Sequence, residues 1–500
     1  MNNFKKIKIL ILLLAVAGLF GCEDNSEQTM PNILYIFTDD QSFRTVSAYP
    51  DAYEWVNTPN IDKLAEDGML FSNCYTGTWC MASRATALTG LHTYGIRTLR
   101  MTGPYPQNEY NPDSLNFWPS VFREKGYYTG IIGKWHTGSD DGAGRDWDYS
   151  AVWNHTIPKV YGGYYLNQKI SFNGDDPVEV GGYSTDNYTD YALDFISNRA
   201  QNKGQPWYLW LCYDAVHSPY TPAERHKNEY KNAPSVPVPV DIFPPRPDKP
   251  SHMINFGMWE KNENGNPVYR GKNFDDFVHN YNRGVLAIDE GVGKIMKALE
   301  STGQLENTLV VYTSDQGFAI GQHGFTWKYA PYDATLRAPL IIRWPQKISA
   351  GQVCDHPVGG HDIIPTFFSL AGIDLPWKMH GHDISPMFND PDRKWEHPLL
   401  MVNTQRLYGE DTNKGNYPLN NGIPCWVFLR NSKYKYIRYL VDNEIEELYD
   451  LSSDPQELNN LAVNPEYKNI LTDFRNQLID ELKRTDAGFA DKLPCIKTNF

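Results

Sequence analysis

One short stretch of the chain combines a thiol, a hydroxyl and a guanidinium in a pattern that could do chemistry. It runs from Tyr75 to Gly90 (YTGTWCMASRATALTG) and contains Cys80, Ser83 and Arg84. The residues after Cys80 favour a helix, and Gly90 is typical of a helix end, so we predict a loop that leads into a helix. A helix N-terminus offers free N–H donors and a positive local field, which suit a nucleophile and an anionic substrate. A buried structural cysteine is the alternative interpretation.

Two acidic segments offer only oxygen ligands. Asp39-Asp40 follows one apolar run, and Asp315-Gln316 follows another. Adjacent carboxylates repel each other unless a cation or hydrogen bonds lie between them. Oxygen ligands suit a hard divalent ion such as calcium, whereas softer ligands would select zinc or copper. We therefore predict a metal site here. A turn or a helix cap is the alternative for Asp39-Asp40, and a turn is the alternative for Asp315-Gln316, because Asp is common in both.

Basic and imidazole side chains form a third group of candidates. Lys134 and His136 follow one apolar run, His217 follows another, and Lys328 lies between two aromatic residues. Imidazole can donate or accept a proton near neutral pH, and lysine supplies positive charge for an anion. A surface lysine and a structural histidine are the alternatives.

Four apolar runs precede these candidates and read as strands. They cover Asn32–Phe37, Tyr127–Ile132, Trp207–Tyr213 and Thr308–Thr313. Helical patterns lie between them, over Ile61–Asp67, Pro119–Lys125, Thr189–Arg199 and Phe274–Ser301. This alternation predicts an α/β fold in which helices flank a mostly parallel central sheet. Ligands bind at the carboxyl ends of such strands, so we expect the candidates to meet in one crevice.

Three regions depart from this alternation. Residues 139–186 are rich in Gly, Asp and aromatic residues, and residues 219–250 are rich in proline. Long ordered loops often form the wall of an active site, and surface elaboration is an equal alternative. From about residue 390 the pattern indicates antiparallel strands (Trp426–Arg430, Tyr434–Leu440) and a final helix over roughly Glu466–Arg484. We predict a catalytic domain over 31–389 and a smaller α+β subdomain over 390–500.

The segment Cys-x-Ala-Ser-Arg-x-x-x-Leu-Thr-Gly, which begins at Cys80, resembles the signature of formylglycine-dependent (type I) sulfatases. Gly133-Lys134-Trp135-His136, His217, Lys328 and the run ELYDLSSDPQELNNLA near the C-terminus also resemble that family. The resemblance covers nearly the whole mature chain and implies the alkaline-phosphatase-like sulfatase fold. Gln316 departs from the Asn or His of most members, although it keeps a carbonyl ligand.

The resemblance also implies a cofactor set. In that family the cysteine is oxidised after synthesis to formylglycine (3-oxoalanine) by a formylglycine-generating enzyme, and the aldehyde hydrate attacks sulfur. One Ca²⁺ per chain is implied, with the ligands Asp39, Asp40, residue 80, Asp315 and Gln316. The implied catalytic residues are Cys80, Arg84, Lys134, His136, His217 and Lys328.

Each of these residues has an implied role. Arg84, Lys134, Lys328 and the metal hold the sulfate oxygens, so that Lys134, His217 and Lys328 contact the substrate. Asp315 activates the hydrate, and His217, together with Lys328, protonates the leaving alcohol. His136 removes the proton from the second hydroxyl, which expels sulfate. A serine or an unmodified thiol lacks that second hydroxyl.

Composition and charge limit the possible partners. A hydrophobic content of 41% and a charged content of 21% are those of a globular enzyme with a large core. A net charge of −14 argues against nucleic acid as a partner. It also gives no long-range attraction to an anionic ester, so the cations must be concentrated in the site.

The N-terminus predicts export. Residues 1–21 have a basic start and an apolar run, as a signal peptide does. Leu19-Phe20-Gly21-Cys22 resembles a bacterial lipobox, which implies lipidation of Cys22, a tether over 22–30 and a membrane anchor. A plain signal peptide is the alternative. We expect an exported lipoprotein in the periplasm or on the outer-membrane surface of a Gram-negative bacterium.

Three functions are compatible with these patterns. The first is a sulfuric ester hydrolase that removes sulfate from a sulfated polysaccharide or its oligosaccharides, such as a carrageenan-like algal galactan or a glycosaminoglycan. The second is a phosphomonoester or phosphodiester hydrolase of the same superfamily, which Cys80 disfavours because those enzymes usually carry Ser or Thr there. The third is a non-catalytic glycan-binding lipoprotein, which the full set of candidate residues disfavours.

Overall fold

The structure is a computed structural model that describes residues 30–97, 117–157, 160, 162–415, 417–420 and 422–497. The predicted signal peptide, the lipidation site Cys22 and all of the predicted tether except Met30 lie outside the described residues. Residues 31–500 cluster as one compact unit. The predicted domain boundary near residue 390 stays a prediction. Among the described helices, none has the length and apolarity that a membrane crossing requires.

The described strands are β1 (Asn32–Thr38), β2 (Met69–Tyr75), β3 (Tyr128–Trp135), β4 (Tyr149–Asn154), β5 (Leu166–Phe172), β6 (Val178–Tyr183), β7 (Trp207–Cys212), β8 (Glu260–Lys261), β9 (Pro267–Tyr269), β10 (Lys272–Asn273), β11 (Thr308–Ser314), β12 (Leu340–Arg343), β13 (Gln352–Gly359), β14 (Leu399–Asn403), β15 (Trp426–Arg430), β16 (Tyr434–Tyr439) and β17 (Glu447–Asp450).

The described α-helices are α1 (Pro59–Glu66), α2 (Cys80–Thr89), α3 (Trp118–Glu124), α4 (Ser184–Arg199), α5 (Ser251–Ile254), α6 (Phe274–Ser301), α7 (Asp333–Leu336), α8 (Gly360–Ala371) and α9 (Lys468–Arg484). All four helices predicted between the strands are present, as α1, α3, α4 and α6. The predicted helix after Cys80 is α2, and Gly90 ends it in the left-handed region with φ of 70°.

The central sheet runs in the order β13-β2-β12-β11-β1-β7-β3-β4-β5-β6 within the described residues. The four predicted strands are β1, β3, β7 and β11, and they are immediate neighbours in this sheet. They pair in parallel in the order β11-β1-β7-β3. The predicted mostly parallel α/β sheet is confirmed. It also contains antiparallel strands, since β12 runs against both β11 and β2.

Helices cover both faces of the sheet, which explains the continuous apolar strands. Leu34 and Ile36 of β1 belong to the core formed with α1, α4 and α6. Tyr35 and Phe37 point to the opposite face, where Tyr35 packs edge-on against Phe367 of α8. Because successive side chains of a strand alternate between faces, a strand covered on both sides must be apolar throughout.

The two interior stretches that interrupt the predicted alternation behave differently. Residues 139–186 are not a long loop, because they contain β4, β5 and β6 at one edge of the sheet. Strand β6 is largely exposed and β5 is only partly buried, so the hairpin lacks the continuous apolar run that marks a buried strand. Residues 219–250 contain no strand and no α-helix in the structure, as their prolines predict.

A second sheet occupies the C-terminal region. Strands β14, β15, β16 and β17 form an antiparallel meander, in which β15 and β16 correspond to the predicted strands. The final helix α9 packs on it through Leu471, Phe474, Leu478 and Leu482. A smaller α+β region therefore follows the main sheet, as the sequence pattern predicts.

Candidate active site

The carboxyl ends of the four central strands deliver most of the candidate residues to one place. Asp39 and Asp40 follow β1 directly, Asp315 follows β11 directly, and Lys134 is the penultimate residue of β3. His217 lies in the segment that follows β7. Because these strands are parallel neighbours, their ends share one edge, and the candidate side chains lie together there, buried except for the partly exposed His217.

Cys80 lies at the first position of α2 and is buried. Its Sγ donates to Oδ1 of Asp39 at 3.2 Å and receives a hydrogen bond from Nζ of Lys328 at 2.8 Å. The loop before the helix therefore places the thiol among charged groups from other elements. This is the nucleophile position that the sequence predicts.

Three buried carboxylates surround the thiol. The backbone N–H of Asp40 donates to Oδ1 of Asp315 at 3.0 Å, which joins the ends of β1 and β11. One oxygen from each of Asp39, Asp40 and Asp315 and the Cys80 Sγ all lie within 4.8 Å of one another. Calcium–oxygen bonds of about 2.4 Å allow two ligands of one ion to be up to roughly 5 Å apart. This donor set therefore fits a hard divalent ion.

Gln316 lies beside the same carboxylates. Its Nε2 donates to Oδ1 of Asp40 and lies 3.5 Å from the Sγ of Cys80, while Oε1 accepts from Ser83 Oγ at 3.3 Å. A 180° rotation of the amide about its last bond exchanges these two atoms and turns Oε1 toward the carboxylates. Gln316 can thus supply the carbonyl ligand, although it is longer than Asn by one methylene.

Each carboxylate is opposed by a buried cation. Lys134 pairs with Asp39, Lys328 pairs with Asp40 at 2.6 Å, and Arg84 pairs with Asp315 at 3.2 Å. Arg84 also donates from Nη1 to the backbone carbonyl of Lys134 at 2.9 Å. The positive charge that the acidic composition lacks is therefore concentrated in this site, as predicted.

The electrostatic environment differs among the carboxylates. Burial opposes ionisation of Asp39, but Lys134, with a smaller effect from His217, holds its pKa well below the usual range. Burial, reinforced by the charge of Asp39, raises the pKa of Asp315 to about 8. Burial also raises the pKa of the Cys80 thiol, so the unmodified side chain is a neutral thiol and a poor nucleophile.

The two candidate histidines lie at different depths. His217 is 23% exposed, and its Nε2 lies 3.6 Å from Oδ2 of Asp40. Its Nδ1 donates to the backbone carbonyl of Ser218 at 2.7 Å, which fixes the ring orientation. His136 is buried beside His155, with ring centroids 4.4 Å apart. Burial, with a contribution from Lys134, lowers the pKa of His136 well below its usual value, so the ring is neutral.

Comparison with known proteins matches this arrangement to one family. Residues 31–373 match the model of the sulfatase family, and residues 321–484 match the model of the C-terminal part of N-sulphoglucosamine sulphohydrolase. The first match covers more than half of the chain. The chain belongs to the sulfatase family. It is a sulfuric ester hydrolase, and the sheet with the site at its carboxyl edge is the alkaline-phosphatase-like fold of these enzymes.

Relatives with assigned activities resemble this sulfatase along nearly its full length. An N-acetylglucosamine-6-O-sulfatase of Bacteroides thetaiotaomicron is 28% identical over 97% of the chain and 92% of the relative. An ulvan-active sulfatase of Formosa agariphila is 26% identical over 94% of the chain and 84% of the relative. The solved structure of BT4656 with its substrate D-glucosamine-2-N,6-O-disulfate superposes with a TM-score of 0.78. It is 25% identical and covers 93% of the chain and 99% of that structure.

The candidate site also contains residues that the sequence does not single out. The hydroxyl of Tyr164 donates to Oδ2 of Asp39 at 2.7 Å, and Lys134 Nζ donates to that hydroxyl at 3.0 Å. Burial raises the pKa of Asp214 to about 7, and this carboxylate lies at the end of β7. The position of Asp214 after an apolar strand is a usable signal, whereas nothing near Tyr164 in sequence marks it.

The C-terminal sheet holds the segment that carries Lys328. Tyr329, the next residue, has a left-handed backbone with φ of 81°, which is unusual for a bulky residue. Its backbone carbonyl accepts hydrogen bonds from Nδ2 of Asn403 at 3.0 Å and from Nε1 of Trp426 at 2.7 Å. Asn403 ends β14 and Trp426 begins β15, so the second sheet helps to position a lysine of the sulfatase site.

Proposed function

We propose that this sulfatase removes sulfate from a sulfated carbohydrate through a formylglycine formed from Cys80. The observation that carries the proposal is the convergence of Asp39, Asp40 and Asp315 on Cys80, with a buried cation opposite each acid. The site thus combines ligands for a divalent ion with fixed positive charge for an anionic ester.

Two groups would complete the chemistry. A formylglycine hydrate at residue 80 would supply the attacking hydroxyl, and a calcium ion would supply positive charge for the sulfate oxygens. The ligands for calcium are Asp39, Asp40, residue 80, Asp315 and Gln316. The roles of the remaining side chains follow from their own positions.

Arg84, Lys134 and Lys328 bind the sulfate group. All three are buried and held by acid partners, so they do not reorganise when an anion arrives. Fixed charges in a site that excludes water stabilise developing negative charge better than mobile surface charges do. Asp315 accepts the proton of the attacking hydroxyl, because its carboxylate lies beside residue 80.

His217 and Lys328 serve the leaving alcohol. Burial lowers the pKa of His217 to about 4, so the imidazole is neutral in the free protein. A bound sulfate ester adds negative charge beside the ring and favours its protonated form. Burial opposes protonation of Lys328, but Asp40 raises its pKa well above the usual value, so it keeps its proton. His136 is neutral and is the base for the second hydroxyl.

The proposed substrate class is a sulfated glycan. Support comes from relatives named for N-acetylglucosamine 6-O-sulfate, for hexuronate 2-O-sulfate and for ulvan. A structure with a bound glucosamine disulfate adds to this support. Sulfated amino sugars of glycosaminoglycans are therefore the first substrates to test, followed by sulfated algal oligosaccharides.

The test starts from the mass of the peptide that carries residue 80. The protein is expressed with and without a formylglycine-generating enzyme, and the aldehyde is expected only with it. Sulfate release is then measured on N-acetylglucosamine 6-O-sulfate, glucosamine-2-N,6-O-disulfate and sulfated galactan oligosaccharides. We expect release from at least one carbohydrate and none by the Cys80→Ala variant. An aldehyde-bearing protein that releases no sulfate from the whole panel contradicts the proposal.

Phosphate esters of the same sugars provide the second arm of this assay. A phosphoester hydrolase of this superfamily would cleave them in preference to the sulfates. Turnover of phosphate esters that survives Cys80→Ala would favour that function without residue 80 as nucleophile. We expect the sulfate ester to be preferred.

We further propose that the protein is exported and anchored by a lipid on Cys22. The support is the basic and apolar N-terminus and the lipobox-like segment that ends at Cys22. Labelling with a radioactive fatty acid in the native host is expected to mark the wild type and not Cys22→Ser. Absence of label, together with a mature N-terminus formed without Cys22 modification, contradicts the anchor.

A further inference from the structure

Two adjacent tyrosines precede β5 and contact both ends of the proposed site. The hydroxyl of Tyr164 lies between Oδ2 of Asp39 and Nζ of Lys134, at 2.7 and 3.0 Å. Its ring stacks on the ring of His217, with centroids 4.8 Å apart and planes 8° apart. The hydroxyl of Tyr165 donates to the backbone carbonyl of His217. One short segment therefore touches groups for the sulfate and a group for the leaving alcohol.

This segment is held rigidly from behind. The side-chain amide of Gln168 donates to the carbonyl of Tyr164 and to Oδ2 of Asp214, the latter at 2.7 Å. Tyr188 of α4 donates to the Gln168 carbonyl oxygen at 2.6 Å, and Ser184 donates to Oδ1 of Asp214 at 2.9 Å. The buried Asp214 thus accepts a hydrogen bond on each oxygen and supports the segment of the tyrosines.

The two contacts of Tyr164 serve different parts of the reaction. A phenol that donates to one carboxylate oxygen and accepts from an ammonium fixes the rotation of Asp39 and the position of Lys134. A ring stacked flat on an imidazole fixes the plane of His217, whose Nδ1 is already tied to the carbonyl of Ser218. Removing the hydroxyl leaves the stacking intact, so the two contacts can be separated by substitution.

We propose that Tyr164 is a positioning residue with two separable roles, in which its hydroxyl orients Asp39 and Lys134 for the sulfate and its ring orients His217 for the leaving alcohol. This inference rests on the proposed function. It assigns a task to the segment before β5, which the sequence pattern does not distinguish from a loop.

The leaving group separates the two roles experimentally. A sugar alcohol is a poor leaving group and needs a proton from the enzyme, whereas 4-nitrophenol leaves as a stable anion without one. Loss of His217 orientation should therefore slow a sugar sulfate and spare 4-nitrophenyl sulfate. Loss of Asp39 and Lys134 orientation should slow both esters equally, because both carry the same sulfate group.

The experiment compares Tyr164→Phe and Tyr164→Ala in the aldehyde-bearing protein. We expect Tyr164→Phe to lower kcat/KM by about 10- to 100-fold on both esters by the same factor. We expect Tyr164→Ala to show the same loss on 4-nitrophenyl sulfate and a further loss of about tenfold or more on the sugar sulfate. Tyr164→Phe should also weaken calcium binding, measured by isothermal titration, because Asp39 loses a hydrogen-bond donor.

Tyr183→Phe is the matched control. This tyrosine stacks on Tyr165 with centroids 5.7 Å apart, and its hydroxyl donates to the carbonyl of Thr221 at 2.9 Å. Tyr183→Phe removes the hydroxyl of a nearby tyrosine that does not touch the site, and we expect wild-type kinetics and calcium affinity.

Two results would overturn the inference. The first is that Tyr164→Phe keeps wild-type kinetics and calcium affinity. The second is that going from Tyr164→Phe to Tyr164→Ala lowers kcat/KM by the same factor on the sugar sulfate and on 4-nitrophenyl sulfate. The proposed function fails in a different way, because then the wild type and Tyr183→Phe release no sulfate from either ester. Circular dichroism of each variant distinguishes loss of folding from loss of positioning, and Tyr164→Leu replaces Tyr164→Ala if the latter unfolds.

Discussion

Two buried clusters of charge in this sulfatase have nearly the same composition and different geometry. The sulfate cluster consists of Asp39, Asp40, Asp315, Arg84, Lys134 and Lys328. The C-terminal cluster consists of Asp333, Glu447, Glu457, Lys249, Arg430 and Lys435. Both contain three acids and three bases, and composition alone therefore cannot identify the site.

The acids of the C-terminal cluster are satisfied by cations and hydroxyl groups and do not converge on one point. Asp333 accepts from Lys435 at 2.8 Å on one oxygen and from Arg430 at 2.9 Å on the other. Glu447 accepts hydrogen bonds from Tyr332, Tyr439 and Tyr449. In the sulfate cluster, by contrast, the acids converge with Cys80 on one point. Among the described residues, groups with the spacing for a metal ion occur only around Asp39 and Cys80.

Raised pKa values of buried acids do not distinguish the two clusters. Burial raises the pKa of Asp315 to about 8, and burial likewise raises the pKa of Glu457 to about 7. A shifted pKa is a sign of desolvation, which both clusters share. Convergence of ligand atoms on one nucleophile is the property that distinguishes a reactive site from a structural one.

The largest difference between the two clusters is expected in their effect on sulfate release. Cys80→Ala should lower sulfate release by at least about 10⁴-fold, because the residue proposed to become the nucleophile is lost. Cys425→Ala, which removes a buried thiol next to the C-terminal sheet, should keep activity. Sulfate release at matched protein concentration checks both variants. Comparable activity of Cys80→Ala and Cys425→Ala would remove residue 80 from the mechanism.

The next difference concerns folding. Lys435→Met leaves the buried Glu457 without its cation and leaves Asp333 with Arg430 alone, so it should lower the free energy of unfolding by about 3–5 kcal/mol. Lys433→Met, at a neighbouring exposed lysine, should change it by less than about 0.5 kcal/mol. Urea denaturation measures both. Equal stability of the two variants would mean that the C-terminal cluster does not stabilise the fold.

Calcium should act on one cluster only. At 100 times its dissociation constant, a bound ion stabilises the folded state by about 2.7 kcal/mol. We expect a chelator to lower the melting temperature of the wild type and added calcium to restore it. Asp40→Asn should weaken this response, whereas Lys435→Met should retain it from a lower starting temperature. A calcium response that is lost only in Lys435→Met would place the ion in the C-terminal cluster and contradict this prediction.

The last expected effect is a pH dependence of stability from Glu457. Its folded pKa of about 7 lies above the ordinary 4.5, so between these values the folded state binds a proton that the unfolded state lacks. The contribution is present below pH 4.5 and is lost as pH rises through 7, at most about 1.4 kcal/mol per pH unit. Urea titrations from pH 5 to 7.5 should show that the free energy of unfolding falls less steeply with pH in Glu457→Gln than in the wild type. A steeper fall in Glu457→Gln would mean that Glu457 does not lose stabilisation as the pH rises.

Local patterns predicted much of this fold. The strands β1, β3, β7 and β11 have continuous apolar sequences because helices cover both of their faces, and this burial can be recognised in the sequence. The start of α2 at Cys80 follows from the residues after it and from Gly90. The hairpin of β5 and β6 escaped prediction because a partly buried strand and an exposed edge strand lack such a run.

The sequence by itself determined which chemical groups are available and that most of them stand at the carboxyl ends of buried strands. Only the tertiary structure decided that these strands are neighbours, that Tyr164 meets Asp39 across 125 positions, and that Asn403 and Trp426 hold the backbone beside Lys328. Burial and helix formation depend on nearby residues, whereas such contacts depend on how distant segments pack, and no local pattern records that.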